Sequence, residues 1–161
     1  MRSLTPLESI ALLSVTACVA AVFVPAFVRH LHASRLAEPL DSLHRIGANA
    51  TALAFQSSAR EAYPPPVVLT PAEVPAGESV EDPAGAWENP TWKALSFSFH
   101  RPHYFSFAFD SESSDQGSEF VARAHGDLDG DGLYSTFKLR GEYRVGESPV
   151  TYPLEMDREV E

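Results

Sequence analysis

Three aspartates stand at alternate positions, Asp127, Asp129 and Asp131, in the run D-x-D-G-D-G that closes on Gly132. Carboxylates spaced this way offer hard oxygen ligands of the kind calcium takes. An EF-hand loop that began at Asp127 would need a bidentate glutamate at its twelfth position, and Lys138 stands there, so that loop type is excluded. Two readings stay open: bound calcium, or an unliganded hairpin turn in which Asp and Gly serve the backbone. His100 and His103 form H-x-x-H, but they flank Arg101-Pro102 without a set of carboxylates at ligand spacing. Zinc is not expected there. The chain has no G-x-S-x-G elbow and no glycine-rich phosphate loop. These residues predict a protein that is not an enzyme and has no cofactor, calcium at the three aspartates being the one candidate.

A second pair of residues is out of place in its surroundings. Ile10 to Val28 is a run of 19 residues without a formal charge, and Glu8 stands just before it, with Pro25 inside it. A helix of about 20 residues crosses the hydrocarbon core of a bilayer. Arg29, His30, His32 and Arg35 close the run. A carboxylate at the edge of such a segment is costly unless it reaches an interface, finds a cationic partner or lies on the positive end of the helix dipole.

Beyond the run, Leu36, Leu40, Leu43, Ala50 and Leu53 recur at helical spacing, which puts them on one face. The pattern predicts one long helix over roughly 6–60. Residues 4–28 form its transmembrane or assembly half and 29–62 its amphipathic half. Pro39 and Gly47 are expected to bend or loosen it.

Composition narrows the partners. The chain has 161 residues with 12 Lys and Arg against 22 Asp and Glu, a formal net charge of −10. Nucleic-acid binding depends on cations that neutralise phosphates, so that class is excluded. Cys18 is the single cysteine and lies in the apolar run, so no disulfide forms within the chain.

Residues 63–92 are dense in proline and predict an extended loop. At its end Asn89 caps a short helical turn with Pro90 at the first position and Trp92 and Leu95 pointing inward. The period then becomes two. Phe105, Phe107 and Phe109 share one side of a strand; Phe120, Ala122 and Ala124 share a side of the next; Ser135, Phe137 and Leu139 share a side of a third. A fourth, weaker strand is expected near 149–154. The predicted fold is α+β: the long N-terminal helix packed on a small antiparallel sheet of 3–4 strands, with residues 93–161 as the sheet head.

The stretch "LTPLES", followed by a long apolar helix, resembles the N-terminus of type IV pilins and pseudopilins of Gram-negative, myxobacteria-type bacteria. The later stretches "PTWKAL", "PHYFSFAF" and "ARAHGDLDGDGLYSTFKL" are similar to pilin-like heads. In that family a short leader is removed, the new N-terminal residue is methylated, and the fifth mature residue is a glutamate. The resemblance places that glutamate at Glu8. It makes residues 1–3 a leader, Ser3 and Leu4 the cleavage and methylation position, and Pro25 the family's helix proline. Ser3 stands where the family prefers glycine.

The resemblance implies a structural subunit, minor or accessory, of a type IV pilus-like or type II secretion-like filament. Glu8 would dock against the N-terminal amine of a neighbour, and Pro25 would let the helix deform. Other pilin subunits and a prepilin peptidase are the implied partners. Before assembly the chain would be a single-pass inner-membrane protein with its head in the periplasm. The alternative is a non-polymerising, membrane-anchored periplasmic binding domain, with calcium at the acidic loop.

Overall fold

The computed structural model describes residues 6–157, apart from the side chains at 7–9, 11–12, 25 and 28–34. The chain divides into two compact units, Met1–Arg35 and Leu36–Glu161.

The first unit is helix α1, Pro6–Arg35, and the second begins with helix α2, Ala37–Ala54. The single helix expected over 6–60 is therefore overturned. The break at Leu36 has a local cause. Pro39 has no N–H to give the carbonyl of Arg35, and its ring crowds that same carbonyl. The interruption falls three residues before the proline, while Gly47, the other expected weak point, lies inside unbroken α2. The C-terminal end comes early as well. Phe55 N–H reaches the Thr51 carbonyl, then Gln56 and Ser57 turn back onto Leu53 and Ala54, which tightens and ends the helix.

The membrane expectation is also corrected. Among the described residues no helix is long and apolar enough to cross a membrane. A single-pass anchor over 4–28, and with it an inner-membrane location, is not supported.

In the second unit the sheet has six strands rather than three or four. They are β1 Val67–Thr70, β2 Phe105–Ser114, β3 Gly117–Gly126, β4 Ser135–Arg144, β5 Val150–Thr151 and β6 Glu155–Asp157. All pairings are antiparallel, in the order β1-β2-β3-β4-β5, and β6 also pairs with β4. The proline-rich segment thus contains a strand. Proline is barred from the interior of a sheet but tolerated at an edge, and β1 is an edge strand set between Pro66 and Pro71.

Strands β2 to β4 turn one face inward. Phe105, Phe107, Phe109, Phe120, Ala122, Ala124, Phe137 and Leu139 are buried on it. Helix α2 covers that face with Leu43, Ile46 and Ala50, all fully buried. The close approach is made at Gly47, where an added Cβ would lie 2.4 Å from Leu139 Cδ2. The small side chains of Ala122 and Ala124 leave room for it.

A short helix, α3, spans Pro90–Ala94. Asn89 caps it by accepting from Thr91 N at 2.9 Å. It delivers Trp92 to a ring cluster in which Trp87, Trp92 and Phe97 lie 5.4 Å apart, centroid to centroid.

Candidate functional site

The surface of α1 is the first candidate. Leu13, Val19, Val22, Phe23 and Phe27 are 51–72% exposed, and Ile10, Val15 and Val24 are exposed too. At 100° per residue these positions spread round most of the helix rather than along one stripe. An amphipathic helix hides one face against its own core; this one leaves large apolar side chains uncovered on several sides. Cys18 is exposed among them. Of the residues expected to guide assembly, Glu8 and Pro25 lie within α1, and their side chains are outside the described residues, as are Ser3 and Leu4 altogether.

The acidic loop is the second. Asp127, Asp129 and Asp131 follow β3 directly, and one oxygen of each lies within 4.8 Å of the others. The loop is built on backbone needs. Asp127 is buried; its Oδ1 accepts from Gly130 N at 2.7 Å and its Oδ2 from Gly132 N at 3.0 Å. Asp129 accepts from Asp131 N, and Asp131 from Leu133 N. Gly130 and Gly132 take positive φ of 79° and 87°, a region that favours glycine. The Asp127 carbonyl accepts from Gly77 N at 2.7 Å, which ties the loop to the proline-rich segment. The three carboxylates could bring oxygens to one cation, and their role as turn acceptors accounts for them without one.

The two histidines of H-x-x-H separate. His100 Nε2 lies 3.1 Å from Ser98 Oγ on the surface. His103 is fully buried: Nδ1 lies 2.8 Å from the Phe105 carbonyl and Nε2 lies 2.7 Å from Asp82 Oδ2. The Phe105 carbonyl can only accept, so Nδ1–H donates to it, and Nε2 pairs with the Asp82 carboxyl. Trp87 Nε1 donates to the same Asp82 oxygen at 2.6 Å. The sequence pattern missed Asp82, because its separation of 21 residues from His103 belongs to no fixed spacing. Its signal, the acidic pair Glu81-Asp82 just before Pro83 and Trp87, is weak.

This buried pair lies beneath a cleft of about 560 Å³ lined by Asp82, Trp87, Phe97, Phe99 and Arg101. Glu38, in the first turn of α2, binds the start of β2 next to His103: its Oε1 accepts from Tyr104 N at 2.9 Å and Phe105 N at 3.1 Å. Burial pushes the Glu38 carboxyl above the usual carboxylate range, against the lowering effect of those two N–H groups and His103. The arrangement locks α2 to the sheet and to the 76–82 segment. It offers no nucleophile with a neighbouring base.

Comparison with known proteins gives no further assignment: no family model, curated protein or solved structure matches this chain. The fold is a six-stranded antiparallel sheet with α2 across one face and an aromatic core, preceded in the chain by the apolar helix α1.

Proposed function

We propose that the protein is a structural subunit that assembles with other copies through α1. The observation that carries this reading is the spread of exposed Leu, Val and Phe side chains round the helix. Burying each such side chain is worth about 1.5–3 kcal/mol, so helices that pack together gain strongly, whereas a lone helix in water gains nothing. The resemblance of "LTPLES" and its apolar helix makes the assembly a type IV pilus-like or type II secretion-like filament, in which this chain is a minor or accessory subunit. Other subunits and a prepilin peptidase are its partners. In such an assembly Glu8 pairs with a neighbour's N-terminal amine, a charge that finds its partner only when copies meet. Pro25 leaves one backbone carbonyl of the helix without its usual donor and so gives the helix a point of deformation.

Sedimentation of the full chain tests the reading. Full-length protein is expected to form large assemblies in detergent-free buffer, and Val19→Asp/Phe23→Asp is expected to return it to monomer. Both should show the same near-ultraviolet circular dichroism from the Trp87–Trp92 cluster. Wild-type protein that sediments as a monomer at about 100 μM, or a variant that assembles as well as wild type, would overturn it.

A further inference from the structure

The face of the sheet opposite α2 has a charge pattern that α1 does not explain. Register places Glu112, Glu119 and Glu142 directly across from one another on β2, β3 and β4. Like charges set opposite on neighbouring strands repel, and here three strands in a row carry them. Tyr152 and Arg144 both donate to Glu142. No hydrogen bond or ion pair reaches the side chains of Glu112 or Glu119 among the described residues.

Four residues along the same strands the sign reverses. Arg123 on β3 lies across from Lys138 on β4, and Arg140 follows one row nearer the glutamates. These are three of only 12 basic side chains in a chain of net charge −10. Arg123 donates to Asp110, which occupies the row between. Val121 stands midway between Glu119 and Arg123, part exposed. At about 3.4 Å per residue the two rows lie about 14 Å apart, with Val121 at the centre.

A face with an acidic row and a basic row at equal distances from a midpoint is complementary to itself. When a second copy is turned by a two-fold axis that lies between the faces and crosses the strands at Val121, each basic row covers the partner's acidic row. Arg123 then meets a glutamate at position 119 and Lys138 one at position 142, four opposite-charge contacts in all; on the axis the two Val121 side chains face each other, and Asp110 and Arg140 face their own counterparts, a like-charge cost that those four contacts must outweigh. We propose that the outer face of β2–β4 pairs the heads of two copies of this chain face to face through these rows. The contact lies wholly within residues 36–161 and does not depend on α1, so it stands or falls apart from the assembly proposed above. Its contribution is specificity and orientation more than affinity, as expected of charges at the rim of a contact.

Cross-linking at the centre tests this. The reagent is a bis-maleimide of about 10 Å reach, close to the spacing of packed sheets. The full chain carries Cys18→Ser and Val121→Cys, together with Val19→Asp/Phe23→Asp to remove any contribution from α1. Covalent dimer is expected, with a yield that falls at least about threefold when salt rises from about 50 mM to about 500 mM. Arg123→Glu/Lys138→Glu and Glu119→Lys/Glu142→Lys should each cut the yield about tenfold alone, by placing like charges in register. An equimolar mixture of the two should restore it, because every row then meets its opposite. A yield indifferent to salt overturns the proposal whatever the variants do. So does a mixture that fails to recover while each variant keeps the wild-type circular dichroism.

Discussion

The two units of this chain treat apolar side chains in opposite ways. In residues 36–161 a core of large ones is turned inward, although Phe55, Val68 and Leu133 stay exposed: Trp92, Leu95, Phe105, Phe107, Phe109 and Phe137 are fully buried, and Tyr63 adds an edge-on ring contact with Phe120 at 4.9 Å. In α1 the large ones face outward, with Leu13 and Phe23 more than two-thirds exposed. The head satisfies its own hydrophobic requirement. The helix keeps its large apolar side chains uncovered, and that difference separates the two units.

Substitutions in the two units should therefore differ in kind. The largest loss of head stability is expected from His103→Ala, which leaves the buried Asp82 carboxyl without its histidine partner. His103 and Asp82 side chains are 0% and 6% exposed. Breaking a buried pair on one side costs about 3–5 kcal/mol, readable as a lower urea midpoint of the tryptophan signal. The matching substitution in α1, Phe23→Ala, should leave that midpoint unchanged. An equal drop for both would erase the distinction between the units.

Gly47→Ala comes next. The added methyl drives into Leu139 in the α2–β4 contact, and overpacking of this kind costs about 1–3 kcal/mol. The gain in helix propensity, about 1 kcal/mol, offsets part of it. A thermal melt that rises instead of falling would show that Leu139 gives way freely.

The pH dependence of the head sharpens the comparison further. Glu38 has its folded pKa raised by burial, so between the usual carboxylate range and that raised value the folded state holds a proton the unfolded state has lost. Stability therefore falls as pH rises through that window, and the contribution is fully present only below it. Glu38→Gln keeps an oxygen for the N–H groups of Tyr104 and Phe105 without the charge. Its urea midpoint should be flatter than wild type across the same pH range. Parallel profiles would remove Glu38 as the cause.

The smallest effect is expected at Tyr63. Its hydroxyl is buried without a partner among the described residues, and burial first, with Glu142 second, pushes its pKa up to about 12. Tyr63→Phe removes that unsatisfied group and should be neutral or stabilise by up to about 1 kcal/mol, seen as an unchanged or slightly raised melting temperature.

Much of the head could be read from the chain because alternation is a local signal. Phe105, Phe107 and Phe109 announce their face with no knowledge of the partner strand, and Asn89-Pro90 announces a capped helix in two residues. The break at Leu36 was not legible in the same way. Its cause is Pro39, but the damage falls on the carbonyl four residues earlier, and the helical spacing of the leucines runs through it undisturbed. Ile46, fully buried, was left out of the expected stripe although it falls on it. Strand β1 was hidden because prolines crowd both its ends, and only its place at the sheet edge makes that harmless. At the acidic loop the sequence showed the aspartates but not their buried member. The sequence does not show that Asp127 turns inward to hold Gly130 and Gly132, since nothing in the spacing marks which carboxylate is covered. The Asp82–His103 pair joins distant segments, and no pattern within either one signals the other.

Cys18 gives the most direct test of the central claim, because it is the single cysteine and it lies exposed on α1. The measurement is the rate of maleimide labelling of the unmodified full chain against concentration. If copies cover one another through α1, labelling should slow at least about tenfold from nanomolar to about 100 μM protein, and Val19→Asp/Phe23→Asp should abolish the protection. A rate that stays constant over that range, equal to that of the variant, would contradict assembly through this helix.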